Sequence, residues 1–162
     1  MLNATIYCLC LHNKVLPIIK KLGYTPVGLG NDNFSGDWLR DNTLDNISFK
    51  NKYYAELTFH YWFWKNVLPK IEDNQWIIFC AYKNYWSNKK KIDLDPNFKI
   101  NEERIPNLIK TNSIKLENFV LREVPAEWEK FDTVIGEHMY INNLKFSKLI
   151  KHGLLSLVRN PS

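Results

Sequence analysis

The sequence predicts an α/β layer architecture, a mixed sheet flanked by helices, and three observations lead there. Short, β-rich apolar runs recur along the chain, segments of helical character separate them, and polar loops follow the runs at their carboxyl ends. The 162 residues suit one domain with a proper hydrophobic core, so a single domain over residues 1–162 is expected.

The first run, ATIYCLCL (4–11), reads as a buried strand. The N-terminus MLNATIYCLCLHNK lacks the basic n-region of a signal peptide, so a cytoplasmic protein is expected. NKVLPIIKKLG follows as a short helix or turn stopped by Gly23, and YTPVGLG (24–30) as a second short strand ending in a glycine turn. Residues 31–50 are rich in Asn, Asp, Ser and Gly, with weak periodicity. A loop that long in a compact domain is usually functional.

The clearest helix comes next, with Asn51 as its N-cap and Glu56 in the early turns, where negative charge is favoured. Tyr54, Leu57, Tyr61, Trp64 and Leu68 follow the spacing of one buried stripe and are assigned to the core. Pro69 and EDNQ end the helix. WIIFCAY (76–82) is nearly continuous in apolar character, as a central strand covered on both faces would be. Beyond Lys83 the chain turns charged and irregular, and Lys89–Lys91 reads as a solvated loop. NFVLREV and Thr133–Ile135 are further strand candidates. NNLKFSKLIKHGLLSLV is an amphipathic helix whose Lys145, Lys148 and Lys151 face solvent, an anionic membrane or an acidic glycan.

Net charge is +5 with a pI near 9.0, which suits nucleotides, phosphates, nucleic acid or an anionic membrane face without choosing among them. A nucleic-acid-binding domain is disfavoured, because the aromatics fall mostly at core spacing and the lysines are scattered. Cys8, Cys10 and Cys80 are odd in number and lie in apolar runs. They read as reduced core residues, and their spacing is not that of a zinc finger. No apolar run is long enough to span a bilayer.

Ligands of α/β sheets sit beyond the carboxyl ends of the strands. HNK, GLGNDN and YKNYW fall at such ends, so one cleft is expected between these loops and the start of the aromatic helix. His12 and Lys14 either meet a diphosphate there or form an exposed turn. Asp45, Asn46 and Ser48 either cap and turn the chain or touch a ligand. Glu56 either orients a ribose or sugar hydroxyl or pairs with His60.

The stretch DNISFKNKYYAELTFHYWFWKN (45–66) resembles the signature of bacterial capsular and exopolysaccharide biosynthesis proteins known as domain of unknown function 4422. The shared pattern is Asp45 to Ser48, Lys50-Asn51, Tyr54, Glu56 to Thr58, Tyr61-Trp62 and Trp64 to Asn66. LHNK (11–14), PVGLG (26–30) and FDTVI (131–135) are weaker matches, and the likeness covers roughly residues 4 to 140. The resemblance implies a Rossmann-like sheet of the GT-A type. Its implied activity is a glycosyltransferase, of hexosyltransferase type, acting in capsular, exopolysaccharide or lipopolysaccharide assembly. The donor would be a nucleotide-sugar, a UDP-sugar favoured, and the acceptor a glycan or lipid-linked glycan. Nucleic acid is not an expected partner, and peripheral contact with the inner membrane is left open.

In that setting His12, Lys14 and Lys83 would balance diphosphate charge, with Gly28 and Tyr82 beside them. Asn46, Ser48 and Glu56 would position the nucleoside or sugar. Asp45 and Glu137 are the catalytic candidates, Glu137 with His138 as a source of a general base. Asp93 and Asp95 resemble the Asp-x-Asp with which GT-A enzymes hold magnesium or manganese, but the family signature places none here, so the metal site stays unassigned. Where the family has His-Tyr-Arg-Arg-Tyr, this chain has Ala81-Tyr82-Lys83-Asn84-Tyr85, and lysine does not reproduce the bidentate grip of arginine. The family also usually continues further, so acceptor-side structure beyond Ser162 is expected to be missing. The alternative is therefore a nucleotide-sugar-binding module of a larger complex, with weakened turnover.

Overall fold

A computed structural model of the chain describes residues 4–82, 84–86 and 120–135. Described residues up to Phe131 belong to one compact unit; residues 132–135 fall in a second and carry no regular element. Four strands, β1 (Ala4–Cys10), β2 (Thr25–Gly28), β3 (Leu39–Arg40) and β4 (Trp76–Ala81), form a parallel sheet in the order β3-β2-β1-β4. Register is set by Cys8, which lies opposite Pro26 on one side and Cys80 on the other. The protein is thus α/β, with a strand order compatible with a Rossmann-like fold.

The alternation of side chains along β1 and β4 divides the core in two. Ile6, Cys8 and Cys10 of β1 and Ile78 and Cys80 of β4 point to one face, where they meet Ile19 and Leu22 of α1 (Leu16–Leu22) together with Trp38, Val120 and Leu121. Tyr7, Leu9, Ile77 and Phe79 point to the other, against Phe59, Trp62 and Phe63 of α3 (Leu57–Asn66). The three cysteines are buried and free, as their apolar setting predicts. Gly23 closes α1 in the left-handed conformation, its amide donating to the carbonyls of Ile19 and Lys20.

Several expectations are corrected. β1 and β2 are the strands flanked on both sides; β4, expected to be central, has one strand partner among the described residues, although both of its faces are packed. The free edge of β4 is covered instead, since the Trp86 indole donates to the Phe79 carbonyl at 2.8 Å and the Trp86 carbonyl accepts from the Leu121 amide. The loop over residues 31–50 contains the two-residue β3. Val120 makes only an isolated bridge, residues 121–124 carry no strand, and neither do residues 133–135. Residues 107–119 lie outside the described residues.

The aromatic helix is also not one helix. Asn51 opens α2 (Asn51–Tyr54) as its first helical residue with no side-chain cap, and the chain breaks at Ala55, whose φ is 47°. Glu56 precedes α3. The break resets the helical phase, and the face that packs is not the expected stripe. Phe59, Trp62 and Phe63 are buried with Thr58, whereas Tyr54, Leu57, Trp64 and Leu68 lie between 48% and 60% exposed. Both faces of α3 are apolar, so periodicity alone could not select the inner one.

Phe59, fully buried among Tyr7, Trp62, Phe63 and Phe79, should therefore carry the packing energy. In urea unfolding, Phe59→Ala is expected to cost about 3–5 kcal/mol. Trp64→Ala should stay within about 0.5 kcal/mol of the parent. The opposite ranking would mean that the inner and outer faces have been exchanged.

Candidate functional site

The carboxyl edge of the sheet is a continuous rim built from the ends of all four strands. At the boundary between β1 and β4, His12 stands edge-on to Tyr82 with ring centroids 4.6 Å apart, and the Tyr82 amide donates to the Leu9 carbonyl. One residue on, Asn13 ties the β1 loop to the β2 loop. Its amide donates to Asp32 Oδ2 and its side chain to the Asn33 carbonyl, both at 2.8 Å. Arg40, the last residue of β3, donates from Nη2 to the Gly30 carbonyl at 2.7 Å. Gly30, at φ 75°, lies so near Asn51 that a Cβ would sit 3.2 Å from Asn51 Oδ1. The β1 and β2 loops thus meet, Gly30 of the β2 loop reaches Asn51 at the start of the aromatic segment, and Tyr82 brings the end of β4 to His12.

A second chain of contacts holds Arg40. A Cβ on Gly28 would lie 2.6 Å from the Phe34 ring, so glycine is required for that ring to settle on the strand. Phe34 in turn carries the Arg40 guanidinium, whose carbon is 4.6 Å from the ring centroid. Gly28, a candidate to lie beside a cofactor, is buried beneath Phe34 and supports Arg40 through that ring.

The rim holds polar atoms that the described residues do not satisfy. His12 Nδ1, Arg40 Nε and both carboxylate oxygens of Asp41 are buried without a hydrogen-bond partner. Asp41, immediately after β3, is 1% exposed and belongs to no ion pair among the described residues. A partnerless buried carboxylate costs several kcal/mol in order of magnitude, a cost seldom kept without use. Arg40 and Asp41 went unread in the sequence because β3 is too short to show periodicity. The signal available was Trp38-Leu39 followed at once by an Arg-Asp pair, just ahead of the family motif.

The polar signature residues themselves turn inward on the chain. The Asn46 side chain donates to the carbonyls of Thr43 and Leu44 and accepts from the amide and hydroxyl of Ser48. Asp45 accepts from Tyr61 Oη at 3.1 Å, and its carbonyl accepts from Asn66. The Trp62 indole donates to the Thr43 carbonyl. Asn51 spans the break, donating to the Ala55 carbonyl and to Thr58 Oγ1. Asn46 and Ser48 thus make the turn within the chain, and Asp45 is bound to α3.

Lys14 is exposed in the turn Asn13–Val15. Glu56 is exposed and makes no side-chain hydrogen bond to His60. The His60 ring lies edge-on to Phe79 at 4.6 Å, where burial pushes its pKa down against the opposing pull of Glu56. Lys83, Asp93, Asp95, Glu137 and His138 lie outside the described residues. Among the described residues no group of three or more His, Cys, Asp or Glu side chains is assembled to hold a metal ion, and Asp41 alone is not such a site.

A family model described as Domain of unknown function (DUF4422) matches residues 5–150. No curated protein matches, and no solved structure matches.

Removing the Asp41 charge should stabilise the ligand-free protein. Asp41→Asn is expected to gain about 1–3 kcal/mol in urea unfolding; a loss of stability would reveal a partner that holds the carboxylate. His60 titrates lower folded than unfolded, so the unfolded chain takes up its proton first and acid favours unfolding. Its contribution is whole above about pH 6.5 and is lost as pH falls through the folded value. His60→Gln should flatten the stability profile over that window, measured by urea midpoints at successive pH values.

Proposed function

The chain belongs to the DUF4422 family, and from that premise we propose that it is a GT-A-type glycosyltransferase that takes a nucleotide-sugar at the rim of the sheet. The acceptor would be a glycan or lipid-linked glycan in surface polysaccharide assembly. The observation that carries this proposal is the set of unsatisfied groups at the carboxyl edge, His12 Nδ1, Arg40 Nε and the Asp41 carboxylate, beside a loop pinned by the family signature. Ligands of open α/β sheets bind at that edge, where the strand order reverses. In this sheet the reversal lies between β1 and β4, at His12 and Tyr82.

Transfer joins an acceptor oxygen to the anomeric carbon as the bond to the nucleoside diphosphate breaks, so negative charge builds on the leaving phosphate. A cation held in place before the reaction lowers that barrier most. Arg40, over the Phe34 ring and bonded to Gly30, is such a cation; His12 and Lys14, which follow β1, and Lys83, which follows β4 in sequence, are further candidates. Asp41 offers the complementary chemistry, two acceptor oxygens for ligand hydroxyl or N–H donors. Asp45 would act by fixing the loop that presents Asp41. Magnesium or manganese enters as a variable of the assay, since no ligand set for it is assembled among the described residues.

One observation favours a second reading. Ala81-Tyr82-Lys83-Asn84 replaces the family's His-Tyr-Arg-Arg, which suits a binding module with weakened turnover. The two part on product: the module binds the donor without releasing sugar.

Titration with UDP and a panel of UDP-sugars, with and without manganese, should raise the melting temperature. Arg40→Lys, which keeps charge but loses the planar fork, and Lys83→Ala should each weaken binding by roughly tenfold or more. Absence of any shift with every nucleoside diphosphate would overturn the proposal. Binding with no radiolabelled sugar passed to water or to acceptor would leave the module.

A further inference from the structure

The outward face of α3 is the strongest feature that the rim does not use. Leu57 and Trp64 are 60% and 54% exposed and seven residues apart, which places them on one side of α3, with Tyr61 between them in edge-to-face contact with Trp64; Leu68, in the 3-10 turn that follows, is 48% exposed. The 3-10 turn Ser48–Lys50 and α2, packed beside α3, add Phe49 at 74%, Tyr53 at 44% and Tyr54 at 48%. A helix apolar on both sides needs cover on both, and the sheet covers only the inner one.

The charges around the face say what covers the outer one. Lysines lie over its rings: Lys65 Nζ is 4.0 Å from the Trp64 centroid and 5.9 Å from that of Tyr61, Lys52 is 4.6 Å from Tyr53, and Lys50 is 5.5 Å from Phe49. Asp45 and Glu56 are the carboxylates in this stretch, and Asp45 already accepts from Tyr61. Aromatic rings with a polar edge, interleaved with long basic side chains that can extend past them, match the boundary between acyl chains and anionic headgroups. A second copy of the same face would bring lysines against lysines.

We propose that this face docks the protein on an anionic lipid surface, lying on it rather than crossing it. No helix of the described residues is long and apolar enough to span a membrane. The site differs from the basic C-terminal segment that sequence suggests for membrane contact, and it does not depend on the proposed transfer activity.

The full chain is sedimented with vesicles of phosphatidylcholine mixed with phosphatidylglycerol, and with vesicles of phosphatidylcholine alone. Binding is expected to the anionic vesicles only and should weaken as salt rises. Lys52→Glu with Lys65→Glu should lower the partition coefficient at least about tenfold. Leu57→Ser with Trp64→Ser should do the same while leaving the melting temperature within about 2 °C, since these side chains are exposed. The lysine pair keeps the test intact should the apolar pair fail to fold. A wild-type protein left in the supernatant, equal binding to neutral vesicles, or binding that both double variants retain would overturn the proposal. So would a dimer in light scattering that Trp64→Ser dissolves, which would assign the face to a second copy of the chain.

Discussion

The fastening of one loop to one helix governs the rest of this structure. Residues 41–50 contain no regular element until the 3-10 turn at Ser48, and their internal hydrogen bonds, made by Asn46 to Thr43, Leu44 and Ser48, are local to the turn. The loop is held by α3: Trp62 reaches out with its indole to the Thr43 carbonyl, Asn66 takes the Asp45 carbonyl and Tyr61 takes its carboxylate. Trp62 does both jobs, since the same ring that donates outward stacks on Phe59 within the core. A run that mixes tryptophans with amides thus has a physical explanation. The rings anchor α3 to the sheet, and the amides and hydroxyls bind the preceding loop to α3.

That fastening gives the carboxyl edge its character. Each strand end is linked to the next by a polar contact or a ring, from Tyr82 to His12, from Asn13 to Asp32, and from Arg40 to Gly30. Each of these links uses some of the hydrogen-bonding capacity of the rim and leaves a remainder, concentrated on His12, Arg40 and Asp41. Groups so placed cannot relax toward one another without undoing the loop that holds them. The rim is therefore arranged before any ligand arrives, the condition under which a fixed charge is most useful.

How much of this the sequence disclosed follows from the length and contrast of each signal. The strands at 4–10, 25–28 and 76–81 are β-rich, apolar and bounded by turn residues, and they were legible. Gly23 was legible for the same reason, a stop signal with one conformational use. The two-residue β3 was not, because two residues carry no period, and with it went Arg40 and Asp41. The helix defeated its pattern differently. A stripe can be read only against a polar background, and α3 has apolar side chains on both sides; the positive φ at Ala55 then shifts every later residue out of phase with the earlier ones. Gly28 was noticed for its type, and the phenylalanine ring that takes the place of a Cβ comes from six residues further on, a pairing no local pattern announces. The polar loop residues left two possibilities open at the sequence level, and Asn46 and Ser48 make the turn-forming hydrogen bonds that one of them requires.

The approach of Gly30 to Asn51 has a consequence for inheritance. A Cβ at Gly30 would come 3.2 Å from the Asn51 amide that also bridges the Ala55 break, and Gly30 holds φ at 75°, so a larger residue there strains the backbone and presses on Asn51. Along diverging lineages the pair should be frozen together or change together. A descendant that swaps one while retaining the other would have lost its grip on the bend between α2 and α3.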